Sequence, residues 1–156
     1  MKVVVVDDEA LAREELESID EYLDIEVVRF GPKLRVRKEI APDTIDVVVP
    51  SMILQPLVEN SIKHGLSRKV GTGTITIRSW RDHARVMIEV EDDGMGFLLE
   101  RLEQPMASGI GLANVRERLR VIYGATYQLT MASEPGKGTR ARIEIPELMA
   151  AEEITA

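Results

Sequence analysis

The stretch Leu54-Gln-Pro-Leu-Val-Glu-Asn-Ser-Ile-Lys-His-Gly65 predicts a helix over 51–64 that Gly65 closes. At about 100° per residue, its apolar side chains share one face with Ser61. The opposite face presents these polar residues: Glu59, Asn60, Lys63 and, at its edge, His64. A carboxylate, an amide oxygen and an ammonium within one turn can hold Mg²⁺ and phosphates together. Taken alone, however, such a helix face is more often simply solvated.

Two motifs that contain glycine pairs follow this helix. Asp92-Asp-Gly-Met-Gly96 ends a predicted strand, where a buried Asp92 carboxylate can accept a hydrogen bond from the exocyclic amine of adenine. Ser108-Gly-Ile-Gly-Leu112 leads into a predicted helix over 112–123, whose free N–H groups favour an anion. Gly-Lys-Ser/Thr is absent from the sequence, so neither motif is a Walker A loop. Each motif alone also fits an ordinary turn.

A third motif, Gly136-Lys-Gly-Thr139, enters the last predicted strand, and the Thr139 hydroxyl can lie near a base. An ordinary hairpin turn is the alternative.

The rest of the chain is predicted as follows: a short strand over 1–8, a helix over 9–30 ended by Gly31 and Pro32, strands over 34–40, 74–80, 84–90, 127–132 and 139–145, a polar turn between 41 and 50, and a lid over 97–108. This order predicts one α/β layer structure, with an antiparallel-rich sheet and helices on one face.

The composition limits the classes of function. A length of 156 residues suits one well-packed domain and is short for two. The net charge of −7 disfavours broad contact with nucleic acid or an anionic membrane, so any phosphate must be held locally. The chain has no cysteine, which excludes disulfides and thiolate metal sites. With no apolar run of membrane-spanning length and no signal-peptide pattern, we expect a soluble, cytoplasmic domain, whose parent protein can still be membrane-anchored.

The four motifs occur in the order of the histidine-kinase ATPase domain of the GHKL superfamily, which the chain resembles over about residues 13–146. The first motif is similar to the N box, the next two to the G1 and G2 boxes, and the last to the closing Gly-Thr motif. The sequence around the N box and the G2 box most resembles that of LytS-type sensor kinases. The resemblance implies a Bergerat-type two-layer α/β sandwich with a mixed, mostly antiparallel sheet. It also implies ATP and Mg²⁺ as cofactors.

The resemblance implies a site made of these residues: Glu59, Asn60, Lys63, His64, Asp92, Gly94, Gly96, Gly109, Gly111, Leu112 and Thr139. In the family pattern Asn60 would ligate Mg²⁺, and Glu59 would hold the metal through water or help to activate the attacking group. Lys63 and His64 would contact phosphates. Catalysis would then consist mainly of positioning and charge neutralisation around the γ-phosphoryl group.

The same resemblance assigns the base and the lid. Asp92 would accept a hydrogen bond from the adenine amine, with Thr139 in support. Gly94 and Gly96 would open the nucleotide lid. Gly109 and Gly111 would close it against the phosphates.

Two features depart from a complete histidine kinase. The histidines, His64 and His83, lie in the N-box motif and in a predicted hairpin turn, so neither suits a phosphoacceptor. We therefore expect a catalytic domain that phosphorylates a histidine on a separate dimerisation domain, with a response regulator downstream. Residues 1–12 resemble the start of a receiver domain and are interpreted as a leader or fusion segment. The remaining predicted divisions are a linker helix over 13–31, the ATP-binding domain over 32–147 and a frayed tail over 148–156.

Three other functions remain open at this point. The chain fits another GHKL enzyme, either an ATP-hydrolysing machine or a serine kinase, and it also fits a nucleotide-binding module that transfers nothing. Glu59 and Asn60 argue against the non-catalytic module. A receiver domain is the weakest interpretation, because the later receiver motifs are missing.

Overall fold

The computed structural model describes residues 9–96 and 105–147, and the backbone alone at 9–11 and 105–111. In chain order the elements are β1 (Glu9–Leu11), α1 (Ala12–Phe30), β2 (Leu34–Ile40), β3 (Val48–Pro50), α2 (Leu54–Asn60), β4 (Gly73–Asp82), β5 (Arg85–Asp92), α3 (Pro105–Tyr123), β6 (Gln128–Glu134) and β7 (Gly138–Pro146). The helix α2 continues without a break into a π-helical turn, Ser61–Leu66.

Five strands form the main sheet in the order β2-β4-β5-β7-β6. The strands β2 and β4 are parallel and the other neighbours are antiparallel. Alternate residues of β5, among them Ile88 and Val90, are buried in the hydrophobic core. Glu89 faces the other way and forms ion pairs with Arg78 and Arg142. The predicted two-layer α/β sandwich with a mixed, mostly antiparallel sheet is confirmed.

Aliphatic side chains from all three helices meet the sheet in one core. Ile19 of α1, Leu57 of α2 and Leu119 of α3 are almost fully buried, as are Ile77 and Ile143 of the sheet. Burial of each such side chain stabilises the fold by about 1.5–3 kcal/mol relative to exposure. Because α1 contributes to this core, its position is tied to that of α2 and the sheet.

The helix predicted over 9–30 begins later than expected. Residues 9–11 form β1 instead, which pairs antiparallel with β3. The strand β3 itself lies where a polar turn was predicted, and Val49 within it is buried. Local periodicity missed both strands, because each is three residues long and is defined by hydrogen bonds to a distant segment.

The other two helices also have boundaries that differ from the prediction. The helix α2 begins at Leu54 rather than at 51, since Met52 has a φ of +63°, which no α-helical residue adopts. Gly65 lies inside the π-helical turn rather than after the helix. The helix α3 begins at Pro105 rather than at 112, and proline is favoured in a first helical turn.

Other boundaries agree closely with the prediction. The strand Leu34–Ile40 has the predicted limits, and Gly31 ends α1 with a φ of +63°. Two predicted segments lie outside the described residues, namely the strand over 1–8 and the tail over 148–156. Of the lid predicted over 97–108, residues 97–104 also lie outside them, whereas residues 105–108 form the start of α3 instead of a loop.

Within the described part of the chain, no helix combines the length and the apolar character needed to cross a membrane.

Candidate functional site

Asp92 is the last residue of the central strand β5. It pairs in register with Ile75 of β4 on one side and with Thr139 of β7 on the other. Asp92 is 3% exposed, and its side chain points toward the helix layer. There it is covered by the end of the N-box helix, which consists of α2 and the π-helical turn Ser61–Leu66. The sheet therefore carries a carboxylate into the layer between strands and helices.

The two oxygens of this carboxylate have different surroundings. Oδ1 accepts the Gly94 N–H at 2.9 Å, and the Ser61 hydroxyl also donates to the carboxylate. Oδ2 is buried as well, and no described residue donates a hydrogen bond to it. A buried acceptor without a donor costs about 1–3 kcal/mol. Oδ2 is therefore well suited to accept a hydrogen bond from a ligand.

The surroundings of Asp92 also shift its acidity. Burial raises the pKa of Asp92 above its ordinary value, and the nearby charge of Asp93 acts in the same direction. The hydrogen bonds from Gly94, Ser61 and the Thr139 N–H lower the pKa and so oppose part of this rise. Burial is the larger effect, as expected for a carboxylate removed from water.

Two glycines allow the N-box helix to lie directly on this strand end. A Cβ added at Gly65 would lie 2.6 Å from Asp92 Oδ1, and one at Gly94 would lie 2.4 Å from the Gly65 carbonyl carbon. The Met95 N–H donates to the Gly65 carbonyl oxygen at 3.2 Å. The end of the helix and the glycine loop after β5 are thus in backbone contact, which a side chain at Gly94 would prevent.

The same loop also contacts the β6–β7 hairpin. Gly96 packs so closely that a Cβ there would lie 1.9 Å from the Glu134 carbonyl oxygen. The Gly136 N–H donates to the Met95 carbonyl oxygen at 2.6 Å. The G1-like and Gly-Thr-like motifs, distant in sequence, therefore lie together beside Asp92.

Thr139 is buried next to Asp92, but its hydroxyl is already engaged. The Ser133 hydroxyl donates to the Gly138 carbonyl oxygen at 3.0 Å and lies 2.7 Å from the Thr139 hydroxyl. With the Ser133 hydrogen used in this way, the Thr139 hydroxyl is the donor of the pair. Thr139 thus contacts the site through its backbone N–H, whereas its hydroxyl ties β7 to β6.

The polar face of α2 has the composition predicted from its spacing. Glu59 and Asn60 are half-buried, and Lys63 and His64 are exposed. The Gln55 side-chain amide donates to Glu59 Oε1 at 2.9 Å, which orients that carboxylate. The residues predicted on the opposite face are buried: Leu54, Leu57, Val58, Ser61 and Ile62.

The π-helical turn was not predicted, and it sets the geometry of the site. The Ser67 N–H bonds to the Ile62 carbonyl oxygen five residues back, at 2.9 Å, so the turn is wider than in an α-helix. Within this turn Ser61 and Gly65 both lie against Asp92. The sequence held one signal for this role, since Ser61 is a polar residue on an otherwise apolar helix face.

The G2-like motif lies differently from expectation. Because α3 begins at Pro105, Gly109 and Gly111 lie within its first turns instead of before its N-terminus. Their N–H groups are therefore not the free donors that the sequence predicted at the start of a helix. Leu112 is 4% exposed and belongs to the hydrophobic core.

Comparison with known proteins shows the family to which the chain belongs. Residues 46–149 match the family model described as histidine kinase-, DNA gyrase B- and HSP90-like ATPase. The sensor histidine kinase BtsS of Escherichia coli K12 is 37% identical over 135 residues, which cover 85% of this chain and 23% of BtsS. The sensor protein LytS of Bacillus anthracis is 32% identical over 148 residues, covering 90% of this chain and 25% of LytS. The chain thus spans about a quarter of the length of these relatives.

Solved structures show the same fold. The histidine kinase domain of the Erythrobacter litoralis EL346 blue-light activated kinase superposes with a TM-score of 0.69 at 20% identity, covering 94% of this chain and 65% of that one. The catalytic domain of histidine kinase ThkA superposes with a TM-score of 0.67 at 21% identity, and the match covers 89% of this chain and 94% of that one. The fold expected from the sequence resemblance is therefore confirmed.

Proposed function

Because the chain belongs to the histidine kinase-, DNA gyrase B- and HSP90-like ATPase family, as an ATP-binding catalytic domain of the histidine kinase type, we propose that it binds Mg–ATP with the adenine at Asp92. The γ-phosphoryl group is then presented to a histidine on a separate dimerisation domain.

The observation that carries this proposal is the unsatisfied Oδ2 of Asp92. Adenine has an exocyclic amine that donates hydrogen bonds, whereas guanine has a carbonyl acceptor at the corresponding position. A buried carboxylate oxygen accepts the first group and repels the second. The raised pKa of Asp92 is consistent with this role, because a ligand N–H would replace the hydration that burial has removed.

The polar face of α2 supplies groups for the metal and the phosphates. Among residues 9–96 and 105–147, no cluster of three His, Cys, Asp or Glu side chains is placed to hold a metal. The oxygen atoms on the polar face of α2 instead fit a Mg²⁺ ion that the Asn60 amide oxygen binds directly and Glu59 binds through water, with phosphate oxygens of the nucleotide as further ligands. When bound, Mg²⁺ supplies neutralisation of the phosphate charge. We assign Lys63 and His64, which are exposed at the end of the same helix, to contacts with the phosphates.

The glycine motifs complete the proposed site. Gly94 and Gly96 hold the loop after β5 against the N-box helix and the β6–β7 hairpin, and we assign them to the opening of the nucleotide lid. We assign Gly109 and Gly111 to its closure over the phosphates. Closure through free N–H groups requires the start of α3 to unwind, since both glycines lie within that helix here.

The partners of this domain follow from the same proposal. The acceptor is a histidine-containing dimerisation domain, and the next partner is a response regulator. The transfer of the phosphoryl group to the histidine and its later transfer to the response regulator both take place in the cytoplasm, where ATP is available. Neither nucleic acid nor a membrane surface is needed as a partner.

Calorimetric titration of ATP, with and without Mg²⁺, tests nucleotide binding. We expect the unsubstituted chain to bind ATP more tightly with Mg²⁺, and Asp92→Ala to lose measurable binding. An Asn60→Ala variant should keep the Mg²⁺-free affinity and lose the increase that Mg²⁺ gives, because the substitution leaves the Asp92 site unchanged. Failure of the unsubstituted chain to bind ATP would sink the proposal.

Transfer of the phosphoryl group needs a second assay. We expect labelled phosphate to move from ATP to a separately supplied dimerisation domain of a LytS-type relative, and the product to show the acid lability of phosphohistidine. In this proposal Glu59 also helps to activate the attacking group, so Glu59→Gln should reduce this transfer by about 10²-fold or more while the Mg²⁺-free ATP affinity is retained. The matched control is Glu21→Gln on the exposed side of α1, which should behave like the unsubstituted chain. An acid-stable phosphoserine product would indicate a serine kinase instead.

A further inference from the structure

Glu15 of α1 is a charged residue buried between two helices. It is 7% exposed, and its carboxylate accepts hydrogen bonds from consecutive backbone N–H groups at the start of α2. Oε2 accepts the Met52 N–H at 3.0 Å, and Oε1 accepts the Ile53 and Leu54 N–H groups at 2.9 and 3.3 Å. One side chain of α1 thus holds the whole entry to the helix that carries Asn60.

This contact replaces a local helix cap. The first N–H groups of a helix have no partner within it and need another acceptor. Ile53 stands at the N-cap of α2 and has no polar side chain to provide one. A carboxylate is also favoured there by the positive end of the helix dipole. The start of α2 is therefore fixed by another element, 38 residues away in sequence from Ile53.

A second polar side chain of α1 lies near the far end of α2. The Tyr22 hydroxyl is hydrogen-bonded to Glu26 of the same helix, and Glu59 of α2 lies within electrostatic range. Burial, followed by the charges of Glu26 and Glu59, raises the pKa of Tyr22 to about 12. The helix α1 therefore lies beside α2 at its start, through Glu15, and has Tyr22 within electrostatic range of Glu59 near its end.

We propose that Glu15 is a positioning residue of the nucleotide site, which fixes the start of α2 and thereby places Asn60 and Glu59 for the metal and phosphates. This inference rests on the proposed function. Asn60 lies about 9 Å along the helix axis from Leu54, so a tilt of roughly 10° at the start moves it by more than about 1 Å. A displacement of about 1 Å at a reacting site is enough to cost about 10²-fold in rate.

The first test compares Glu15→Gln with Glu17→Gln, a matched change on the exposed side of α1. Glutamine keeps the length of Glu15 and one acceptor oxygen but loses the charge and the second acceptor. We expect the Mg²⁺-dependent part of ATP affinity to fall about fivefold or more, while the Mg²⁺-free affinity stays within about twofold. Glu17→Gln should change neither. An unaltered Mg²⁺-dependent affinity in Glu15→Gln, with normal binding by the unsubstituted chain, overturns this inference alone.

The second test uses amide hydrogen exchange and needs no nucleotide. In Glu15→Gln we expect faster exchange from Met52 through Asn60, with β4 and β5 unchanged. Faster exchange confined to residues 52–54 would show that α2 is not positioned by its start, and so would overturn the inference. Faster exchange throughout the sheet, with both affinities lost, would reveal a purely structural role and overturn it too. If the unsubstituted chain binds no ATP, the proposed function fails and this inference fails with it.

Discussion

Replacement of Asp92 by asparagine tests the chemistry of the site with almost no change of shape. The asparagine oxygen can still accept the Gly94 N–H at the position of Oδ1. The amide nitrogen then stands where Oδ2 stands, so a hydrogen-bond donor replaces the buried acceptor. Adenine brings a donor to this position, and two donors would face each other.

The expected loss of affinity follows from that exchange. A hydrogen bond to a charged group contributes about 1.5–3 kcal/mol, so ATP affinity should fall roughly 10- to 150-fold. GTP carries an acceptor where ATP carries a donor. The preference for ATP over GTP should therefore narrow in Asp92→Asn. A general loss of folding would weaken both nucleotides alike.

The same substitution removes a pH dependence of stability. The pKa of Asp92 is raised in the folded chain above its ordinary value of 3.8, mainly by burial. At a pH between the pKa of Asp92 in the unfolded chain and its pKa in the folded chain, Asp92 is protonated in the folded chain and ionised in the unfolded chain. The resulting stabilisation is present below pH 3.8 and is lost as pH rises through the folded pKa.

Two assays measure these effects. Calorimetry at neutral pH gives ATP and GTP affinities, and chemical denaturation from pH 4 to pH 7 gives the free energy of unfolding. We expect the free energy of unfolding of the unsubstituted chain to fall relative to that of Asp92→Asn as pH rises. Asp82→Asn, the same chemical change at the exposed hairpin end of β4, is the control. Unchanged ATP affinity in Asp92→Asn would refute the assignment of the base site. If the difference in free energy of unfolding between the unsubstituted chain and Asp92→Asn did not depend on pH, the raised pKa of Asp92 would be refuted.

Two further predictions concern the helix turn that covers Asp92. Gly65→Ala should weaken ATP binding by about tenfold or more, because its Cβ would lie 2.6 Å from Asp92 Oδ1 and must displace the carboxylate; native-like affinity in calorimetry would contradict this packing. Ser61→Ala should raise the pKa of Asp92 further, since it removes a hydrogen bond that lowers it. The pH at which stability declines should then move upward in denaturation curves, and an unmoved profile would show that the Ser61 contact is not significant.

Much of the site was predictable because its chemistry is local in sequence. The polar face of α2 follows from helical spacing, and Glu59 and Asn60 lie on it as predicted. A strand of alternating residues ending in an acid placed Asp92 at the end of β5. Gly31 ends α1 in the left-handed conformation that a glycine at the end of a helix indicated.

Other features depend on contacts between distant segments. The short strands β1 and β3 exist only as a pair, so neither has a periodic pattern of its own. The early start of α3 places Gly109 and Gly111 inside a helix, although the glycines indicated its beginning. The role of Glu15 depends on three N–H groups in another element.

The sequence by itself determined the fold class, the order of the motifs and the family, since each is written in spacing and residue type. The tertiary structure decided which oxygen of Asp92 is satisfied, how Ser61 and Gly65 cover it, and what holds the start of α2. The physical reason is that helix and strand patterns record which side of an element is buried. They do not record which groups meet there, and hydrogen bonding, close approach and desolvation all depend on that meeting.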